Sequence, residues 1–524
     1  MNITEILQRQ AETFPHELAI IDVARGKNRR TTYGEFDEAV GKMTTLLRKS
    51  GLQPGNRVLV FQPMSTELYI GLAAILRGGM TAMFVDPSAG RKYINRCCEL
   101  MTPQGLIASP KAHLLRLLSP ALRRIPVKWS VGGHVPFTRC IKQFKDCSND
   151  EIVHPCSTDT PALASFTSGT GGQPKAVIRT HGFLLAQHRA VEEHLSLVPG
   201  EIELVTMPIF LLANLASRVT SVIADADLRK VGEIAPAPII RQIRIHGVDR
   251  FTASPAFFER IVDFCEQGGT QLGSLRKVFT GGGPVPCGLL ERLQSIAPLA
   301  EITAVYGSTE AEPICTITSR EMDLKENGAD SSGRGLLAGK PVTSLDVRII
   351  RDRWGHSLGQ LSVDEFTRLC RQPAEPGEIV VSGPHVLDGY VNEQADNVNK
   401  FCVDQTRWHR TGDAGYFDDR GRLWLLGRCS ARIDDQHGTL YPLGVEQTAM
   451  RNPCIDKAAM VSHRGQRVLA VTLKDPKNEP DFTTLLNSLA FANVDTIRVM
   501  KVLPVDKRHQ SKIDYSLLQE MLEQ

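Results

Sequence analysis

Short, wholly apolar runs alternate with longer stretches of helical periodicity along most of this chain. Arg57 to Phe61 reads as a strand, Thr66 to Leu76 as a helix and Thr81 to Val85 as the next strand. Leu106-Ile107, Lys128 to Val131 and Ala162 to Phe166 continue the series, and Thr180 to Leu197 reads as a helix with Thr180 near its cap. Strands that are apolar on both faces and separated by helices predict an α/β fold with largely buried sheets. Two polar stretches, residues 326–340 and 357–378, read as surface loops, and Ala235-Pro236-Ala237-Pro238 is a break too brief for a domain boundary. The texture changes near Gly427-Arg428-Cys429-Ser430. Beyond it lie strand-like Ala458 to Val461 and Val468 to Leu473, helical patterns, and a basic segment from Lys501 to Lys512. This predicts a large multi-sheet N-terminal portion, residues 1–428, and a small α+β C-terminal domain, residues 429–524.

A length of 524 residues with 42% apolar content suffices for three or four folding units. The net charge of +3 is close to balance and lends no support to nucleic-acid binding. Twelve cysteines are scattered, with one adjacent pair at Cys97-Cys98 and no C-x-x-C or Cys/His zinc spacing. Most are expected to be buried thiols in a reducing compartment. The N-terminus shows no basic start followed by an apolar core. No unbroken apolar run reaches the ~18 residues of a membrane span, since the longest candidate, Leu68 to Val85, is interrupted by Arg77-Gly78-Gly79. A cytoplasmic protein without transmembrane segments is the expectation.

The chemistry-bearing residues gather in a few loops. Thr167-Ser168-Gly169-Thr170-Gly171-Gly172-Gln173-Pro174-Lys175 packs three hydroxyls, three glycines and a lysine behind the apolar run Pro161 to Phe166. Glycines let backbone N–H groups approach phosphate oxygens, hydroxyls add neutral donors, and the lysine adds a point charge. The spacing is not that of a P-loop, and Pro174 precedes the lysine. By itself such a loop is equally a plain turn. Three further segments point the same way: Thr280-Gly281-Gly282-Gly283-Pro284, Tyr306-Gly307-Ser308-Thr309-Glu310, and His409-Arg410-Thr411-Gly412-Asp413 followed by Gly427-Arg428. Each is expected to leave the end of a strand, where open α/β sheets place ligands. The histidines show no metal-ligand spacing, and His181 and His409 read as structural or ligand-lining.

These motifs, in this order and over essentially the whole chain, resemble the adenylate-forming superfamily of acyl-CoA synthetases, peptide-synthetase adenylation domains and luciferases. The resemblance implies ATP and Mg²⁺ as cofactors and a small C-terminal domain that moves. It implies that Thr167, Ser168, Gly169, Thr170, Gly171, Gly172 and Lys175 hold the β- and γ-phosphates. It places Gly281, Gly282 and Gly283 along the adenine, with Tyr306 stacked on the base and Gly307 beside it. Thr309 would contact the α-phosphate and Glu310 would hold Mg²⁺. Asp413 would accept from the ribose hydroxyls, Arg428 would add a ribose or phosphate contact, and Lys512 would serve the adenylation step. The chemistry is consistent: a carboxylate is a weak nucleophile that a triphosphate repels, so positioned cations and in-line geometry must supply the acceleration. Mg²⁺ takes one or two protein carboxylates plus phosphate oxygens, so a single Glu310 suffices. On composition alone the same residues have bland readings. Lys512 would be a solvated charge among Lys501, Lys507 and Arg508, Glu310 a helix N-terminal charge, Asp413 a turn residue and Tyr306 core packing.

The chain departs from the family pattern at several positions. Gly171 replaces a threonine and Ala176 a glycine around the phosphate loop, and Leu211 replaces an aromatic or histidine. Pro208 to Ala216 makes an apolar wall that suits a hydrophobic acyl substrate or a buried core equally. Ser430 stands at the hinge, Asp434 where a lysine is usual, and Ser511 precedes Lys512. These changes fall on the half-reaction in which a thiol enters. Val505 to Asp514, Gly412 to Asp418, Gly421 to Trp424 and Cys429 to Arg432 are similar to the β-lactone synthetases of bacterial long-chain olefin biosynthesis. That resemblance implies ATP-dependent activation of a fatty-acid-like carboxylic acid as acyl-adenylate, then closure of a β-lactone by the substrate's own 3-hydroxyl. The alternative is a ligase with CoA or a carrier protein as acceptor; a second alternative is a homologue that binds nucleotide or fatty acid without turnover.

Overall fold

A computed structural model describes the chain except residues 25, 87–88, 169–173, 323–332, 392, 506–512 and 524. The chain forms two compact units, one from Met1–Asp225, Ile245–Val248 and Pro384–Asp396, the other from Ala226–Arg244, Asp249–Gly383 and Asn397–Gln524.

In the first unit a seven-stranded sheet runs in the order Arg139–Cys140, Val127–Ser130, Gly105–Ala108, Arg57–Phe61, Thr81–Phe84, Pro161–Ser168, Pro174–Thr180. All neighbours are parallel except the last pair. The helices Thr66–Arg77 and Arg91–Met101 make crossovers between these strands, as continuously apolar strands require. Gly105–Ala108 is buried at every position, and Leu59, Met83, Leu106 and Ala164 share one core with Ile94 and Cys97. Helix His181–His194 starts at Thr180, whose hydroxyl accepts from the Phe183 amide at 3.1 Å, a cap worth about 1 kcal/mol. Ile202–Val205, Thr220–Ile223 and Leu18–Ala24 pair in parallel, and Lys27–Thr32 closes that group antiparallel.

In the second unit Arg250–Ala253, Lys277–Gly281 and Glu301–Ser308 are parallel. The sheet then turns antiparallel through Ala311–Thr318, Leu336–Pro341, Leu423–Arg428, Thr406–Phe417, Gly377–Ser382 and Asp346–Ile350. Residues 429–524 lie in this unit and build a hairpin, Ile433–Asp435 with Gly438–Leu440, and a three-stranded sheet, Ile455–His463, Gln466–Leu473 and Thr496–Val499. Their own apolar core includes Val445, Met460, Leu469 and Leu485.

Three expectations are corrected. Residues 336–340, read as loop, belong to the strand Leu336–Pro341, whose first four residues are buried. Residues 357–378 contain the helix Val363–Leu369 and the first two residues of a fully buried strand, including Glu378. The polar residues there fill caps and a buried ion pair, which composition alone does not distinguish from a solvated loop. Of the eleven cysteines described, five are buried and six are partly exposed, so burial is not the rule; all eleven are free thiols. Among the described residues, no helix is long and apolar enough to cross a membrane.

Candidate active site

The second unit brings three of the predicted segments together. Gly281 ends its strand opposite Val305, and a Cβ on it would meet the Val305 carbonyl oxygen at 2.5 Å. Gly282 follows with φ +81°, a conformation natural only to glycine. The strand Glu301–Ser308 turns back at once: Ser308 pairs with Ala311, leaving Thr309 and Glu310 as the two residues of the hairpin tip. The Ser308 hydroxyl accepts from the Glu310 amide at 3.2 Å. Gly307 admits the returning strand, since a Cβ there would lie 3.1 Å from the Ala311 carbonyl oxygen.

Tyr306 stands on the same strand opposite Cys315, and its hydroxyl donates to Asp413 Oδ2 at 2.8 Å across a separation of 107 residues. Asp413 pairs across the sheet with Arg428, whose Nη1 lies 3.2 Å from Asp413 Oδ1. The carboxylate is therefore held at both oxygens. Its amide faces the Thr411 hydroxyl at 3.1 Å, and that hydroxyl donates to the Ile379 carbonyl at 2.9 Å. Asp413 raises the Arg428 pKa against the opposing pull of burial, and Tyr306 and Glu310 add to the rise. Burial, then the Asp413 charge, pushes the Tyr306 phenol well above its ordinary value, so it remains a donor. Phenol, carboxylate, guanidinium and the Glu310 carboxylate thus share one electrostatic neighbourhood.

Asp413 does not leave a strand end as expected. It lies inside the strand Thr406–Phe417, which bends at Gly412 (φ +72°) and shifts register between Ala414 and Gly415. Trp354 packs where a Gly412 Cβ would be, 2.8 Å away. Behind it Arg410 and Glu378 form an ion pair at 2.6 Å with both side chains fully buried. Arg410 also donates to the carbonyls of His356 and Val398 and lies over the Trp354 ring at 5.4 Å. Sequence reasoning assigned no role to Arg410, Glu378 or Trp354. The available signal was an arginine inside the motif itself, three residues before Asp413.

In the first unit Thr167, Ser168 and Lys175 lie on two antiparallel strands, with Thr167 opposite Lys175. The described ends of the phosphate-loop motif therefore pair as antiparallel strands, unlike the strand and helix that flank a P-loop. Lys175 Nζ stands 5.7 Å over the Tyr390 ring. Gly169, Thr170, Gly171 and Gly172 lie outside the described residues. So does Lys512, although Val505 pairs with Ile513 on either side of it. Three residues beyond, the Tyr515 hydroxyl donates to Glu446 Oε1 at 2.7 Å. The Arg428 charge acts on Tyr515, pulling its phenol down against the larger effects of burial and Glu446. Ser430 sits exposed in the turn Cys429–Ala431. Asp434 is engaged locally by Arg432 at 2.7 Å and by the Thr439 hydroxyl at 2.7 Å. His181 is buried, accepts from the Ile3 amide, and is pushed down to about 4 by burial; His409 contacts the Asn399 carbonyl. Leu211 is fully buried in the helix Pro208–Ser217.

Residues 7–391 match the family described as AMP-binding enzyme. The chain belongs to that family. It is an adenylate-forming, AMP-forming enzyme, and adenine nucleotide is the ligand its members share. Over 98% of its length it is 29% identical to the olefin β-lactone synthetase of Xanthomonas campestris pv. campestris, covering 96% of that protein. It is 27% identical to the olefin β-lactone synthetase of Stenotrophomonas maltophilia over 92% of this chain and 89% of that one. Its fold is similar to that of the amide bond synthetase McbA from Marinactinospora thermotolerans, with a TM-score of 0.81, 19% identity and 99% of both chains covered.

Proposed function

We propose that this enzyme activates a fatty-acid-like 3-hydroxy carboxylic acid as its acyl-adenylate and then closes it to a β-lactone. The observation that carries the nucleotide part is the Tyr306–Asp413–Arg428 cluster beside the Thr309–Glu310 hairpin tip. A carboxylate held by a phenol and a guanidinium is a rigid acceptor for the two ribose hydroxyls, and the glycine edge at Gly281–Gly283 leaves backbone open toward a base. Tyr306 presents its ring to that base while its hydroxyl fixes Asp413. The hairpin tip offers one carboxylate and one hydroxyl, a donor set that fits Mg²⁺ completed by phosphate oxygens. Bound there, Mg²⁺ would neutralise charge on the phosphates. Lys175 and the loop before it would hold the outer phosphates, and Lys512 the charge that develops at the α-phosphate.

In the first step a carboxylate oxygen of the acid bonds to the α-phosphorus and the bond to the β-phosphate oxygen breaks, releasing pyrophosphate. In the second the 3-hydroxyl oxygen attacks the acyl carbon, its proton passes to solvent, and the bond to AMP breaks. The second step rests on the two lactone-forming relatives and on Ser430, Asp434 and Ser511 at positions that serve thiol entry elsewhere in the family. Residues 429–524 act in this reading as the moving domain that delivers Lys512, and the enzyme works in the cytoplasm.

The test is pyrophosphate exchange followed by mass spectrometry of products from a 3-hydroxy fatty acid, with and without CoA. A CoA-independent product lighter than the acid by one water supports the proposal. A CoA-dependent thioester from a simple fatty acid replaces it with a ligase, and silence over a panel of acids points to a binding homologue. Lys512→Ala should slow exchange by ~10²-fold or more. Glu310→Ala should shift the Mg²⁺ titration to higher concentration, and an identical titration would remove it as a ligand.

A further inference from the structure

The near-neutral whole chain conceals one strongly polarised surface. Residues 100–145 contain eight lysines and arginines and no aspartate or glutamate, whereas the whole chain carries only +3. In the first unit this segment forms the short helices Pro110–His113, Leu115–Leu118 and Pro120–Arg124. Their inward side is ordinary core. Leu122 is fully buried, Ala112, Leu115 and Ala121 pack on the parallel sheet, and His113 bonds the Trp129 carbonyl at 2.9 Å.

Their outward side is apolar as well. Leu114, Leu117 and Leu118 follow i, i+3, i+4 spacing and are 62%, 74% and 60% exposed. Phe137 joins them: Arg116 donates to the carbonyl of Pro136 at 3.2 Å, and the Phe137 ring is 92% exposed. Its backbone has φ +59°, a conformation a bulky residue rarely adopts, so the chain spends strain to hold an aromatic ring in water. Lys111, Arg123, Arg124 and Arg139 are exposed around these side chains. None of the four, nor Arg116 or Lys128, is ion-paired to a carboxylate among the described residues. Arg116 and Lys128 are both held below their ordinary values, first by burial and, for Lys128, by the Arg116 charge.

Four large apolar side chains amid uncompensated cations complement a surface that is anionic outside and apolar a few ångströms below. We propose that this face docks the enzyme on an anionic lipid bilayer, inserting Leu114, Leu117, Leu118 and Phe137 among the acyl chains while the cations meet the headgroups. A nucleic acid would use the charges but gains little from exposed leucines. The inference stands on this surface alone. It also places the enzyme where a water-insoluble acid would be dissolved.

The full-length protein should cosediment with vesicles of phosphatidylcholine containing phosphatidylglycerol, weakly with phosphatidylcholine alone, and less in high salt. R123E/R124E should lower the partition coefficient at least ~10-fold, by the cost of two cations at a charged surface. L117S/F137S should lower it on the same vesicles without changing the salt dependence. Both variants should keep the wild-type thermal midpoint and pyrophosphate exchange with a water-soluble acid. Equal binding to neutral and anionic vesicles, no binding, unaltered binding by either variant, or retention on DNA without vesicle binding would each overturn the proposal. None of these outcomes bears on the adenylation chemistry.

Discussion

Asp413 shows how much a single side chain depends on its neighbours. With one oxygen taken by Tyr306 and the other facing Arg428, its carboxylate is held from both sides. Asp413→Ala should raise the KM for ATP in pyrophosphate exchange at least ~10-fold, since it removes hydrogen bonds to a charged acceptor and leaves Arg428 unopposed. Tyr306→Phe should raise it less, by roughly 3- to 10-fold, the scale of one such bond. A larger effect in Tyr306→Phe than in Asp413→Ala would reverse the order of dependence assigned here. The residue types were legible in the motifs. The bond between them was not, because nothing local joins two segments 107 residues apart.

The strand that carries Asp413 is the informative element. Its bend needs Gly412, where φ is +72° and the Trp354 ring occupies the space of a Cβ. Gly412→Ala should cost about 1–2 kcal/mol from the left-handed backbone alone, with more from the ring contact. Urea unfolding measures it, and a neutral result would show that the bend is not held by the glycine. Glu378→Ala should cost about 3–5 kcal/mol, because it strands the buried Arg410 charge. The apolar strands of the first unit were readable from pattern, with Arg57–Phe61 starting and ending as expected. The strand containing Glu378 was not, because its buried acid reads as polar and its partner Arg410 lies 32 residues on.

At the scale of the whole molecule, one buried acid should leave its mark on stability against pH. Glu446 is pushed up to about 7 by burial, against an ordinary 4.5, although the Met460 amide and Tyr515 hydroxyl pull it down. The folded state therefore binds a proton more readily than the unfolded one. This contribution to stability is full below about 4.5 and is lost as the pH rises through about 7. Glu446→Gln should flatten the fall in thermal midpoint over that window. Tyr515→Phe should extend the fall to higher pH by removing a donor to the charged form, and an unchanged profile in both would exclude Glu446 as its source. The order of the motifs and the alternation of apolar strands with helices were set by the chain itself, because both are local: periodicity follows from backbone geometry, and glycine positions from backbone conformation. What the tertiary structure decided was which charges meet. A fully buried Glu378 with Arg410 and a Tyr306 clamped on Asp413 both arise from distant segments. Electrostatic energy depends on separation in space and on burial, and neither quantity is written in a linear order of residues.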